Sequence, residues 1–141
     1  MTLCRITNIN IPESALAGEG FTLGGEYIND GIDGPTFMRL MDTETYEFLN
    51  VAASYPSHPT GETKGMASHV VMPAKSWKLT IEVGEGSPID PVSVHDSKSF
   101  VIVNPEFPPE EESLLRRITN TILIIGPLIA GTIAIALKPR R

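Results

Sequence analysis

One cysteine, one tryptophan and an aromatic content of only 6% occur in a chain of 141 residues. Cys4 has no second cysteine to pair with, so no internal disulfide staples the fold and the redox compartment stays open. No acid appears after position 112, and no charge of either sign between 118 and 137. Before that run no stretch has helical periodicity, which argues against a helical bundle. There is no Asn-X-Ser/Thr sequon, so glycosylation says nothing about sidedness. No basic-then-apolar leader precedes Cys4, and the expectation is that Met1 is the true start with no signal peptide.

What is present divides by charge. Residues 1–112 hold all 17 acids and 6 of the 11 basic residues, a balance of −11; residues 113–141 hold the other 5 and no acid, a balance of +5. A head this acidic is repelled by phosphate, which excludes nucleic acid as its main partner. The basic tail suits lipid head groups better.

The uncharged run ITNTILIIGPLIAGTIAIAL, 118–137, is the longest apolar feature. As a helix it would extend roughly 30 Å, the thickness of a bilayer's hydrocarbon core. Arg116 and Arg117 stand before it, and Lys138, Arg140 and Arg141 after it, where they would anchor the ends at the membrane interface. A single C-terminal transmembrane helix is predicted over 114–141; a helix buried in a soluble core is the alternative. Gly126, Ala130 and Ala134 recur every four residues, a spacing that lets transmembrane helices approach closely. Pro127 removes a backbone donor and predicts a kink. Asn120 lies near the first end, within reach of the interface or a neighbouring helix. Residues 104–113, NPEFPPEEES, read as a proline-rich acidic linker.

Residues 1–103 read as short strands and turns. Twelve glycines and twelve prolines in the chain imply frequent reversals. Strands are predicted over 3–11, 20–29, 36–41, 46–53, 66–72, 77–83 and 92–103, the last interrupted near Asp96-Ser97. Two have a clear period of two: Phe21, Leu23, Gly25 and Tyr27 on one face, and Trp77, Leu79, Ile81 and Val83 on one face. Trp77 is the expected anchor of the core. Asn29-Asp30-Gly31 and Asp33-Gly34 predict a tight turn using positive φ, and Asp42 to Thr45 a second. SYPSHPTGETKG, 54–65, reads as a long polar loop of functional or mobile kind. About seven short strands in such a length predict an all-β, immunoglobulin-like sandwich, with a small barrel as runner-up.

The stretches IPESALAGEGFTLGGEYINDG and MPAKSWKLTIEVGEG resemble CARDB-like domains, immunoglobulin-like modules of prokaryotic cell-surface and viral proteins. Pro12, Gly18-Glu19 and Asn29-Asp30-Gly31 match the opening of that pattern; Pro73, Trp77 and Gly84 match its penultimate strand. The resemblance spans roughly residues 5–103. It implies a sandwich used for adhesion, spacing or assembly, with no transferable active site.

Candidate chemistry is sparse. Asn29, Gly31 and Asp33-Gly34 echo part of a calcium loop, but the twelfth position is Leu40 where a bidentate Glu is needed. His58, His69 and His95 match no zinc spacing and read as loop or surface residues. Ser93, His95 and Asp96 hold the letters of a triad, but strand neighbours point to opposite faces, so His95 and Asp96 are not expected to meet. No catalytic, metal or cofactor residues are therefore predicted.

The expected function is that of a non-enzymatic, membrane-anchored structural or interaction protein, partnered by the bilayer and by protein, as a homo-oligomer or in a larger membrane or virion assembly. A single-pass accessory subunit is the alternative. Orientation stays open: the missing leader favours a cytoplasmic head, the resemblance an external one, and a virion membrane reconciles them.

Overall fold

The computed structural model describes residues 1–109. The chain divides into two units, Met1–Phe107 and Pro108–Arg141. The first is the head. The 118–137 run lies outside the described residues, and with it Gly126, Ala130, Ala134, Arg116, Arg117, Lys138, Arg140 and Arg141.

Seven strands occur in the head: β1 (Cys4–Asn10), β2 (Gly20–Asn29), β3 (Gly34–Asp42), β4 (Phe48–His58), β5 (Thr63–Val71), β6 (Trp77–Gly86) and β7 (Pro91–Ile102). They form two antiparallel sheets, ordered β1-β2-β5 and β4-β3-β6-β7. The result is an all-β sandwich with two open sheets, and the barrel alternative falls away. Among the described residues no helix is long and apolar enough to cross a membrane.

Alternation explains the core. Leu23 and Tyr27 of β2 face Met38 and Leu40 of β3 and Leu79, Ile81 and Val83 of β6, and all are buried. A period of two places successive side chains on opposite faces, so one apolar set per strand suffices to fill the gap between sheets. Trp77 only packs against the edge of this cluster, half-buried. The expectation that it anchors the core is corrected: the largest fully buried side chains are Tyr27 and Phe37. Trp77 opens its strand at a sheet end, where less protein surrounds it.

The 54–65 segment is not a long loop. β4 runs to His58 and β5 starts at Thr63, leaving a four-residue connection turned at Gly61 (φ +79°). Pro56 disguised this strand. β4 lies at the edge of its sheet, where the missing N–H of proline breaks no interior ladder, and the register shifts there between Gly34/His58 and Thr36/Tyr55.

The 29–34 reversal also differs from expectation, since no residue in it has positive φ. Asn29 makes the turn with its side chain. Its Oδ1 accepts from Leu3 N and Gly31 N at 2.9 Å each, and its Nδ2 donates to the Ile32 and His58 carbonyls at 2.8 Å each. Gly31 is needed for space: a Cβ there would lie 2.5 Å from the Met1 carbonyl oxygen and 2.7 Å from Leu3 N. The Asp42–Thr45 turn is present as predicted, with Asp42 Oδ1 accepting from Glu44 N and Thr45 N. Asn104 to Phe107, placed in the linker by the sequence, bond back onto Ser76 of the head, through Asn104 N and the Phe107 carbonyl.

Candidate functional site

Three clusters of ionisable or nucleophilic side chains in the head bear on the candidate chemistry, and each is built by a different set of strands.

The first lies where β1 meets β7. A bulge between the Val83/Asp96 and Gly84/Val94 pairs leaves His95 as the extra residue of β7. The bulge cancels the usual alternation, so His95 and Asp96 both reach β1. His95 Nδ1 accepts from Cys4 N at 3.0 Å, and Asp96 Oδ2 accepts from Ile6 N at 2.9 Å. The expected opposite facing is thereby corrected, but the two side chains bond different amides of β1 and no hydrogen bond joins them to each other. Ser93 Oγ lies 2.8 Å from His95 Nε2. The tautomer decides what this contact can do. A backbone N–H can only donate, so Nδ1 holds a lone pair and the neutral ring carries its proton on Nε2, which donates to Ser93. A general base needs that nitrogen free to accept the serine proton. The pair is thus arranged to hold β1, not to activate a nucleophile. Cys4 beside it is buried, its thiol 3.7 Å from the Gly84 carbonyl, and burial pushes that thiol up to about 11. A thiol so protonated is inert.

The second cluster is Tyr27, Thr36 and His58, all without solvent exposure. His58 Nε2 lies 2.6 Å from the Glu62 carbonyl, which can only accept. In the neutral ring Nδ1 then accepts from Thr36 Oγ1 at 2.8 Å, and Thr36 accepts in turn from Tyr27 at 2.8 Å. The Tyr27 ring also meets His58 edge-on at 5.1 Å between centroids. Burial raises the Tyr27 phenol well above its ordinary value, so it stays a donor. His58 is corrected from loop residue to buried strand end, its hydrogen bonds closing the β4–β5 connection. His69 is an exposed residue of β5, with its ring lying over Gly20.

The third cluster was not anticipated. Arg39 and Glu82 stand directly opposite each other on β3 and β6, on the side of the sheet away from the core. Arg39 Nε and Nη2 reach Glu82 Oε1 at 2.8 and 2.7 Å, with side chains only 8% and 7% exposed. Arg39 Nη1 donates to the Pro88 carbonyl at 2.7 Å, and the Tyr46 hydroxyl donates to Glu82 Oε2 at 2.8 Å. That bond to the carboxylate raises the Tyr46 phenol. Tyr46 reaches it from a backbone at φ +56°, an unusual conformation for a large side chain. The signal in the sequence was slight: two opposite charges at outward positions of otherwise apolar strands.

No three His, Cys, Asp or Glu side chains gather among the described residues in a way that holds a metal. In the 29–34 turn, Asp33 Oδ1 accepts from Thr60 N and Oγ1, and the Asn29 carboxamide is committed to the turn itself.

No family model matches the chain, and no curated protein matches it. Among solved structures it is similar in shape to a β-glucosidase from Listeria innocua, with a TM-score of 0.48 and 13% identity over 72% of this chain. The same enzyme in complex with glucose gives a TM-score of 0.47 and 14% identity over 75%. The chain spans 16% of that enzyme's length. A conjugative transposon lipoprotein from Bacteroides eggerthii gives a TM-score of 0.44 and 10% identity, over 73% of this chain and 97% of that one. At these scores the likeness transfers neither activity nor location.

Exposed apolar residues are spread over the head, from Leu3, Leu16 and Ile32 to Val101 and Phe107. Ile89, Val92 and Val94 follow one another around the β6–β7 connection, and Val71 ends β5. A shallow trough of about 380 Å³ also runs over the outer side of the three-stranded sheet, floored by Gly24 and Gly65 and rimmed by Asn8, Asn10 and Glu26. Its glycines have a backbone reason, since a Cβ on Gly24 would lie 2.5 Å from the Met66 carbonyl oxygen.

Proposed function

We propose that this chain is a non-enzymatic structural or interaction protein, an immunoglobulin-like head of CARDB-like kind held at a virion membrane or cell envelope by residues 114–141. The observation that carries the reading is the uncharged run 118–137 following an all-β head. Twenty such residues match a bilayer core, and the flanking Arg116, Arg117 and Lys138 match its edges. The strand partition supports the immunoglobulin-like part. It differs from the constant-type arrangement only in that β4 sits beside β3 instead of β5. The polar clusters support the non-enzymatic part, because Ser93, His95 and His58 are all committed to holding strands.

Flotation of the full chain on liposomes tests the anchor. The native sequence is expected to float, and Ile129→Arg, which places a charge at mid-run at a cost of about 3 kcal/mol, to float much less. Equal recovery of both in the lipid fraction would overturn the reading.

The second reading is an accessory subunit of a larger membrane complex, favoured by the spacing of Gly126, Ala130 and Ala134. Under it, Gly126→Leu or Ala130→Leu releases the chain from its complex, while changes on the head surface leave it bound.

A further inference from the structure

Four strand edges bound the two sheets, and three of them carry a device against pairing. Bare edges template association with other strands, so such devices are informative. On β1, the Cys4 and Ile6 amides are taken by His95 and Asp96. On β4, Pro56 removes a donor and the register shifts beside it. On β7, the bulge at His95 is followed by Lys98, a charge at an inward position opposite Ile81. β5 is different. Its first half is guarded, since Lys64 packs over the Tyr55 ring at 5.2 Å and the Tyr55 hydroxyl donates to the Gly65 carbonyl. From Ala67 to Val71 it has no proline, bulge or charge.

The direction of its free groups follows from Gly65. That carbonyl meets Tyr55 of the other sheet, so it points away from β2. Antiparallel alternation then turns the amides and carbonyls of Ala67, His69 and Val71 away from β2 as well. Met72 fits the same phase: its N–H bonds the Glu19 carbonyl and its own carbonyl accepts from Gly18 N, both on the β2 side. The outer side of this edge is sterically open, because Ala67 is small and the His69 ring lies inward over Gly20.

We propose that Ala67–Val71 is a self-association edge, which pairs antiparallel with the same segment of a second copy about a two-fold axis at His69. The segment is symmetric about that residue: its three outward-turned residues place Ala67 opposite Val71 of the other copy, and the reverse. Six backbone hydrogen bonds form, and Val71, 59% exposed in the single chain, is covered. Charge selects this stretch. Two heads, each with 14 acids and 6 basic residues over Met1–Phe107 and so −8, repel over most of their surface. Ala67–Val71 itself holds no charge, and Glu26 of β2 lies beside Gly65, before the pairing segment. The area is small, below the roughly 1,000 Å² that a stable soluble interface needs. Pairing is therefore weak in dilute solution and populated where anchoring concentrates the heads. It thus deepens the proposed assembly role and rests on that reading.

Cysteine cross-linking of the full chain in liposomes under mild oxidation tests it. An antiparallel hydrogen-bonded pair sits at a Cα separation of about 5.5 Å, within disulfide range. His69→Cys is expected to form a covalent dimer. Ala67→Cys alone stands about four residue steps, roughly 13 Å, from its own copy and stays monomeric. A mixture of Ala67→Cys with Val71→Cys cross-links. No dimer from His69→Cys, or equal dimer from all three single variants, overturns the proposal. Lipid flotation of the same samples reports on the anchor separately.

Discussion

Asn29→Ala removes the side chain that makes the 29–34 turn. The carboxamide is fully buried and uses all four of its hydrogen-bonding positions, two accepting from Leu3 N and Gly31 N and two donating to the Ile32 and His58 carbonyls. At about 1 kcal/mol net per neutral bond, truncation costs about 4 kcal/mol, a large part of a typical stability of about 5–15 kcal/mol. With a urea slope of about 1.3 kcal/mol/M, the midpoint falls by about 3 M. Trp77 is the single tryptophan and half-buried, so its fluorescence reports the transition. Asn29→Asp separates bonding from shape. It keeps both acceptors but turns an oxygen toward the Ile32 and His58 carbonyls, which disfavours the charged form in the folded state. Its folded pKa is then raised above the unfolded value of about 3.9. The destabilisation is full at neutral pH and is relieved as pH falls through the folded pKa. A loss below about 1 kcal/mol for Asn29→Ala, or an Asn29→Asp penalty that grows on acidification, would refute this role for Asn29.

Glu82→Gln leaves Arg39 buried without its counter-ion and is expected to cost about 3–5 kcal/mol by urea unfolding, whereas Arg39→Met with Glu82→Leu together comes close to neutral. His95→Ala orphans the Cys4 amide and speeds amide hydrogen exchange along β1, while Ser93→Ala leaves that exchange unchanged. Asp42 is held below the usual carboxylate range: burial pushes it up, but the Thr45 and Glu44 amides and Lys75 outweigh that. Its contribution is therefore present above the unfolded pKa and lost as pH falls through the lower folded value. Asp42→Asn should flatten the acid limb of a stability–pH curve.

The parts of this fold legible in the sequence were those written in period two. β2 falls at its predicted residues, Gly20 to Asn29, and β6 begins at Trp77 as expected, because their inward sets are apolar and their outward sets mostly polar. What stayed hidden has local physical causes. Pro56 and the polar letters around it concealed the second half of β4, since proline signals a break in every position except an edge. The interruption expected near Asp96-Ser97 is a bulge at His95, but the sequence pattern does not show which residue is inserted, nor that His95 and Asp96 then both reach β1. Asn29 stood in a dense turn signal, yet its use was misjudged: the side chain, not a positive φ, makes the reversal. The Arg39–Glu82 pair depends on register across strands far apart in sequence, which single-strand patterning does not contain.

The most direct test of an anchored head is protease protection of the full chain in sealed membranes, after an alkaline carbonate wash. The chain is expected to stay in the membrane pellet. Protease added to one side only then cuts within 108–113 and releases the β-sandwich intact. A chain that washes into the supernatant, or is cut equally from either side, would contradict it.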